Sequence, residues 1–184
     1  VEATPDERVA YLRIAHARRK AEGEEEIDDS GDGGTESHAA DLDEARIAEL
    51  AECEEFILAA TENGFGKRTS AYDYRVTGRG GQGIVNIETS ERNGEVVATF
   101  PISAKDQIML VTDGGQLIRS PVHDVRIASR RTQGVTLFKV SSSERVVSVA
   151  WLPDMGDDEE GDGDDNGDAE ESGKGEDGEG EDNV

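Results

Sequence analysis

The alternation of apolar and polar positions divides the chain into two helical patterns, a central block of short strands and two polar stretches. T-P-D-E at residues 4–7 predicts a helix start, because Thr4 and Glu7 have the spacing of a capping box and proline suits the first helical position. This helix should run to about residue 22. A second short helix is predicted over residues 41–52, where an acidic first turn favours the helix dipole. The apolar positions of the first helix are Val9, Leu12 and Ile14.

Two stretches lack apolar periodicity. Residues 22–40 are rich in Glu, Asp, Gly and Ser, and past Met155 only Val184 is a large apolar residue. Such segments cannot bury enough surface to offset chain entropy, so both are predicted to be disordered. The expected organisation is a short helical connector at 1–22, an acidic insert with a short helix at 23–53, two strand-rich units at 54–103 and 104–153, and a disordered acidic tail at 154–184.

The strand-rich middle repeats itself. Shifted by 51 positions, residues 61–84 align with residues 112–135 without a gap, and 8 of these 24 positions are identical. After a one-residue slip, V-V-A-T-F at 96–100 aligns with V-V-S-V-A at 146–150. A repeat period near 50 is typical of propeller-like arrays.

Each unit has the pattern strand, tight turn, strand, loop, strand, turn, strand. E-N-G at 62–64 and D-G-G at 113–115 supply the positive-φ positions of tight hairpins, and R-N-G at 92–94 predicts a second hairpin turn. The predicted fold is therefore all-β, with two blades of a propeller-like array. Two blades leave sheet faces uncovered and the chain opens at Val1 rather than Met, so we expect it to be part of a larger protein.

The formal charge of −24 is unevenly distributed. Residues 1–53 hold six basic against 16 acidic side chains, and residues 154–184 hold one against 16. Residues 54–153 hold 12 against 11 and are nearly neutral. The acidity therefore belongs to the two ends, and the strand-rich middle is free to present a local basic surface.

Other features indicate a protein of the cytoplasm. Cys53 is the single cysteine, which excludes an internal disulfide and fits a reducing compartment. The longest apolar run, residues 56–60, is far shorter than the ~20 residues that cross a bilayer. No signal-peptide pattern opens the chain.

The repeated frame resembles a known family. E-N-G-F-G-K-R-T-S-A-Y-D-Y-R-V-T-G-R-G-G-Q-G-I at 62–84, D-Q-I-M-L-V-T-D-G-G-Q-L-I-R at 106–119 and R-T-Q-G-V at 131–135 are similar to the C-terminal domain of the DNA gyrase A subunit. The resemblance covers residues 54–153 closely. It implies a six-bladed β-pinwheel whose basic rim wraps double-stranded DNA, and this chain would hold the last two blades.

The resemblance also implies partners and cofactors. The chain would work with the remainder of the gyrase A subunit and with the gyrase B subunit in a heterotetramer, a nucleoid-associated topoisomerase that introduces negative supercoils at the expense of ATP. Mg²⁺ and ATP would be bound elsewhere in that enzyme, and no membrane is involved.

Basic residues recur at fixed positions of the two units, at spacings of 7 and 4. Recurrence would place them on a curved stripe that binds phosphates with little sequence preference and strong salt dependence. The alternative is an ordinary solvated surface, on which these arginines pair with carboxylates such as Asp73 and Asp124. The predicted DNA-binding residues are Lys67, Arg68, Arg75, Arg79, Arg119, Arg126, Arg130 and Arg131.

The pinwheel family carries a signature heptad, Q-R-R-G-G-K-G, which is absent here. G-R-G-G-Q-G at 78–83 and R-R-T-Q-G at 130–134 look like degenerate copies. The resemblance implies that these loops close blades and guide DNA rather than start the wrap. Gly81 and Gly83 could equally serve turn geometry alone.

We predict no catalytic residue and no metal site. In the family the catalytic tyrosine belongs to a separate N-terminal domain. Strand alternation in A-Y-D-Y-R would put Tyr72 and Tyr74 on one face, which indicates packing rather than nucleophilic chemistry. The histidines are scattered, and Trp151 is expected to pack within a blade.

Two alternatives to the gyrase interpretation remain at this stage. The related A subunit of topoisomerase IV shares the fold and does not supercoil. A protein-interaction propeller would bind no nucleic acid and would use its acidic ends to recruit basic partners. The tail at 157–182 either keeps the protein soluble or competes with DNA for the basic rim as an intramolecular polyanion.

Overall fold

The computed structural model describes residues 2–23 and 41–154. The disorder predicted within 24–40 and 155–184 lies outside the described residues. The helices are α1 (Pro5–Glu22) and α2 (Glu44–Glu52). The strands are β1 (Phe56–Thr61), β2 (Phe65–Ser70), β3 (Val96–Ile102), β4 (Gln107–Thr112), β5 (Leu117–Pro121), β6 (Val135–Thr136) and β7 (Val146–Leu152), with short 3₁₀ turns at Ala71–Asp73 and Val122–Asp124.

Helix α1 begins with the predicted capping box. The Thr4 hydroxyl accepts a hydrogen bond from the Glu7 amide, and the Glu7 carboxylate accepts one from the Thr4 amide at 2.8 Å. The helix ends at Gly23, whose φ of 78° gives the left-handed cap. Asp43 caps α2, so that helix starts at Glu44 rather than at residue 41.

The buried stripe of α1 differs from the predicted one. Val9 is 40% exposed, whereas Ala10, Tyr11 and Ala15 are buried. The reason is that the Tyr11 ring packs edge-on against the Tyr72 ring, with 5.3 Å between the ring centres. This contact sets which face of α1 is buried. Ala3, Tyr11 and Ala15 form one hydrophobic cluster with Ile47 and Leu50 of α2.

The repeat is confirmed in the strands. β1 and β4 are offset by 51 residues at both ends, as are the two 3₁₀ turns, while β3 and β7 are offset by 50. The one-residue slip in the alignment is therefore real. Gly64 and Gly115 have φ values of 75° and 82° at the predicted hairpin turns.

The prediction of four strands per unit is confirmed for the second unit and wrong for the first, which has three. One antiparallel sheet has the order β3-β1-β2-β6, and the other has the order β5-β4-β7. Strand β6 belongs to the second unit but completes the first sheet, where Val135 pairs with Gly66. One strand of the second unit is thus donated to the sheet of the first, and we call this one-way donation the strand exchange.

The first unit has no counterpart of β6 among the described residues. Residues 84–85 lie 51 positions before β6, pair with no strand in that part of the chain, and include Val85 at 58% exposure. A strand of two residues exists only where another edge satisfies its backbone groups. Because no strand forms between β2 and β3, the R-N-G turn at 92–94 leads into β3 and does not join two paired strands.

The two sheets share one core. The buried residues of this core are Leu58, Ile102, Ile108, Leu110, Val122, Val125 and Val146. Trp151 does not pack as predicted: it lies on β7, which pairs with β4 alone, and it is 52% exposed. The core therefore depends on aliphatic side chains from both units.

Candidate nucleic-acid interface

The eight predicted DNA-binding residues do not form one uniform stripe. Four of them are exposed, two are half-buried and two are buried. The exposed ones are Arg75, Arg79, Arg119 and Arg131, the half-buried ones are Arg126 and Arg130, and the buried ones are Lys67 and Arg68. Exposure alone already divides the set into surface cations and internal ones.

Lys67 must be removed from the surface set. Its side chain is 0% exposed, so its ammonium cannot reach a phosphate. Nζ donates hydrogen bonds to the carbonyl oxygens of Ser129 (2.5 Å) and Arg130 (2.7 Å) and to the hydroxyl of Thr132 (3.2 Å). Burial lowers the pKa of Lys67 to about 7.

Arg68 is the second correction, because its guanidinium also points into the protein. Nε donates to the carbonyl oxygen of Val125 at 2.6 Å, and Nη2 donates to that of His123 at 3.2 Å. The guanidinium carbon lies 5.8 Å from the centre of the Phe56 ring. Arg68 thus links β2 to the second unit and serves the fold.

A surface cleft of about 410 Å³ collects three of the remaining arginines. Its walls come from the segment after the first 3₁₀ turn and from the loop before β6. The lining residues are Asp73, Arg75, Gly83, Ile84, Val85, Glu88, Arg130 and Arg131. Residues far apart in the sequence meet here because β2 carries the second unit's loop on its edge.

An adjoining cleft of about 530 Å³ shares Glu88 and Arg131 with the first and adds Arg92 and Arg126. We call the two together the arginine clefts. They bring five arginines against two carboxylates, Asp73 and Glu88, a formal charge of +3 in a protein of −24. Concave surfaces of one charge sign concentrate the electrostatic field and attract polyanions.

Arg92 is not among the residues that the sequence predicts to bind DNA. It belongs to the R-N-G turn, and fifty residues on the aligned position is Ser142, so repetition gave no signal. Its guanidinium lies 4.9 Å from the centre of the Phe65 ring, a cation–π contact. Only the exchanged strand brings this turn beside Arg126 and Arg131.

Arg130 has structural contacts as well as an exposed part. The Asp73 carboxylate accepts from the Arg130 amide at 3.0 Å and lies 3.6 Å from its Nε. Nη1 donates to the Val85 carbonyl oxygen at 3.0 Å. The alternative of pairing with Asp73 is thus realised by an arginine of the other unit, and Asp124 contacts His123 instead.

Arg79 and Arg119 line neither arginine cleft. Arg119 donates through Nε to the Gln107 side chain on the neighbouring strand. Within G-R-G-G-Q-G only Gly80 has a positive φ, of 75°, so Gly81 and Gly83 are not needed for a left-handed turn. Their backbone is exposed to solvent.

The tyrosines do not share a strand face as predicted. Ala71–Asp73 is a 3₁₀ turn, so the side chains on either side of Asp73 diverge. Tyr72 donates its hydroxyl proton to the Leu50 carbonyl oxygen at 3.1 Å, and Tyr74 donates to the Asn86 side chain. Burial raises the pKa of Tyr72, of Tyr74 and of Tyr11, which disfavours the nucleophilic phenolate.

Two further properties of the described residues bear on function. Within 2–23 and 41–154, no group of three His, Cys, Asp or Glu side chains could hold a metal ion. Neither helix in that part of the chain is long and apolar enough to cross a membrane.

Comparison with known proteins gives consistent matches. The family described as DNA gyrase C-terminal domain, beta-propeller, matches residues 55–103 and 106–150. The DNA gyrase A subunit of Granulibacter bethesdensis is 56% identical over 156 residues, which cover 81% of this chain and 17% of that protein. The DNA gyrase A subunit of Rickettsia bellii is 44% identical over 164 residues, or 88% of this chain and 17% of that protein.

The fold has a counterpart among solved structures. A structure of the DNA gyrase A C-terminal domain superposes with a TM-score of 0.51 at 23% identity, covering 55% of this chain and 35% of the other. This similarity supports the propeller-type fold. The chain spans about 17% of the length of the two curated relatives.

Proposed function

The chain belongs to the DNA gyrase C-terminal domain family, and from this premise we propose that it binds and bends double-stranded DNA as the wrapping part of a gyrase A subunit. In that role it supports the ATP-dependent introduction of negative supercoils by the complete enzyme. The remainder of the A subunit and the gyrase B subunit are the proposed partners, in the cytoplasm.

The observation that carries this proposal is the convergence of arginines from both units on the arginine clefts. Phosphate contacts fix DNA on a protein without reading its sequence, and planar guanidinium groups match phosphate oxygens in pairs. A positive surface spanning two units follows the backbone over more than one contact, as wrapping requires. The overall negative charge does not prevent this, because charges beyond about 10 Å are screened at 0.1 M salt.

We further propose that this part of the enzyme does not cleave DNA. The chain contains three tyrosines, and each hydroxyl is bonded to a group of the protein. Glu54 is the one carboxylate among these partners and accepts the hydrogen bond of the Tyr11 hydroxyl. Because Glu54 also forms an ion pair with Arg19, it is a poor base for removing the Tyr11 proton. The raised pKa values of all three phenols oppose the ionisation that a nucleophile needs. Strand cleavage and ATP hydrolysis belong to other parts of the enzyme in this proposal.

A salt titration of DNA binding tests the proposal. We expect the full chain to bind a short duplex of arbitrary sequence, measured by fluorescence anisotropy between about 50 and 200 mM salt. The double variant R75Q/R131Q should bind more weakly. Its slope of log K against log salt should be less negative by about 1.8, since each lost phosphate contact removes about 0.9. Both side chains are exposed, so the fold should be retained.

The matched control is Arg145→Gln, which removes an exposed arginine that lines neither arginine cleft. Its slope should equal that of the unmodified chain. An unchanged slope in the double variant would exclude the arginine clefts as the contact surface. No DNA binding by the unmodified chain at low salt would instead favour the protein-interaction alternative.

A further inference from the structure

We propose that Lys67 is a positioning residue that clamps the loop at residues 129–132 onto strand β2 and thereby sets the direction in which Arg130 and Arg131 are presented to DNA. The clamp itself is a property of the free protein. Its consequence for DNA rests on the proposed function, so the two need separate readouts.

The geometry of the clamp is complete. The Lys67 ammonium has three hydrogens, and three oxygens of the loop accept them: the carbonyls of Ser129 and Arg130 and the hydroxyl of Thr132. All three lie within four consecutive residues. The side chain is fully buried, so the loop closes over the ammonium and excludes water from it. Without the lysine, the Arg130 carbonyl would lose a charged donor in a partly buried place and the Ser129 carbonyl would keep only the amide and hydroxyl of Thr132 as donors, which costs free energy.

The clamp acts where the loop makes its turn. On one side, residue 128 is tied to β2, because the Ala128 amide donates to the Arg68 carbonyl at 2.8 Å and its own carbonyl accepts from the Thr69 hydroxyl at 2.9 Å. On the other side, Val135 pairs with Gly66. Between these points the loop places Arg130 and Arg131 in the arginine clefts. The Lys67 ammonium binds the backbone of this loop from the buried side.

The lysine is not a general feature of the repeated frame. Position 118, its equivalent in the second unit, is isoleucine and half-buried. Strand β5, which carries it, receives no exchanged loop from the described residues. The cation therefore occurs at the place where one unit receives the loop of the next.

The charges around the ammonium make the clamp sensitive to pH. Burial, which is the largest effect, and the Arg130 guanidinium lower the pKa of Lys67, whereas Asp73 and Glu88 act in the opposite direction, with a result of about 7. The neutral amine can still donate to both carbonyls, and the Thr132 hydroxyl donates its own proton to the Ser129 carbonyl oxygen at 2.9 Å. Since opening the loop would return the pKa towards 10.5, raising the pH above 7 favours the closed loop.

Limited trypsin digestion without DNA tests the clamp directly, because trypsin cleaves after Arg130 and Arg131. Lys67→Met fills the space without donating hydrogen bonds, and cleavage there should become at least about tenfold faster, because three hydrogen bonds are lost and one or two already account for that factor. Thr132→Val removes one acceptor of the ammonium and one donor to the Ser129 carbonyl, keeps both carbonyl contacts of Lys67, and should give a smaller increase. Lys105→Met removes an exposed lysine outside the clamp and should leave the rate unchanged.

Hydrogen exchange of the amides at 129–132 separates a clamp from general destabilisation. After correction for intrinsic rates, protection in the unmodified chain should increase between about pH 6 and pH 9, and in Lys67→Met it should not depend on pH. If Lys67→Met fails to fold, the digestion and hydrogen exchange of Thr132→Val still decide. Protection at 129–132 that is as high in the folded variants as in the unmodified chain would overturn the proposal.

The DNA readout comes last. Lys67→Met should make the slope of log K against log salt less negative by about 0.9 to 1.8, which is the contribution of one or two phosphate contacts. This change is expected although Lys67 itself does not contact DNA. A loosened loop with an unchanged slope would refute the positioning role. Loosening in a protein that binds no DNA at all would refute the proposed function and leave the clamp standing.

Discussion

The first repeat (residues 54–103) and the second (104–153) place equivalent strands 50 or 51 residues apart, yet their outer edges differ. The edge of β2 is covered by β6 and by a parallel contact with Ile127 of the second repeat. The edge of β5 is covered by no described strand, and Leu117 on it is 68% exposed.

Equivalent positions therefore have opposite environments. Gly66 lies under Leu137, whereas Leu117, 51 residues on, is exposed. Arg68 is buried and bonded to backbone carbonyls, whereas Arg119 is exposed. Repetition in sequence predicts a repeated backbone, but side-chain roles depend on which neighbour fills the edge.

Blocking the pairing of β6 with β2 should destabilise the protein most. Gly134 has a φ of 77°, and a Cβ there would lie 2.7 Å from the Gly66 carbonyl oxygen. Gly134→Ala should lower the free energy of unfolding by roughly 2–4 kcal/mol, since it combines backbone strain with a backbone clash. Thermal or urea denaturation followed by circular dichroism measures this.

The matched control is Gly83→Ala at the equivalent position of the first repeat. A Cβ there has no neighbour within 4 Å, and the residue does not have a positive φ. Its stability should stay within about 0.5 kcal/mol of the unmodified chain. Equal losses of unfolding free energy in both variants would contradict the conclusion that the pairing of β6 with β2 constrains Gly134 alone.

A second pair of variants compares the arginines at the start of the repeated frame. Arg68→Gln should cost about 2 kcal/mol of unfolding free energy, because the buried carbonyl of Val125 and the part-buried carbonyl of His123 lose a charged donor. Arg119→Gln at the equivalent exposed position should change it by no more than about 0.5 kcal/mol. Urea denaturation of both variants decides, and a larger loss at Arg119 would contradict the structure.

The smallest effect concerns pH. Lys67 has a folded pKa of about 7 against 10.5 in the unfolded chain, so between these values the unfolded chain binds more protons and stability rises with pH. From pH 7 to pH 8 the unmodified chain should gain about 1 kcal/mol relative to Lys67→Met. Urea denaturation at the two pH values measures the difference. A gain of the same size in Lys67→Met would mean that other groups cause it.

Much of the fold could be read from local patterns. The capping box at Thr4, the glycine turns at Gly64 and Gly115, and the repeat with its one-residue slip all appear in the structure as predicted. These features depend on residues close together in the chain, or on a periodicity that the backbone must follow. Arg92 could not be assigned, because its proximity to Arg126 and Arg131 follows from the pairing of β6 with β2.

The family frame, the strands and the separation of acidic ends from a neutral core all follow from the order of the amino acids. Which cations reach the surface depends instead on how the two repeats pack. Lys67 and Arg68 stand next to one another in a basic motif, yet β2 turns both into the second repeat, where backbone carbonyls bind them. Burial and strand pairing at a sheet edge depend on residues far apart in the sequence. Equivalent motifs can therefore bind a loop in the first repeat and face solvent in the second.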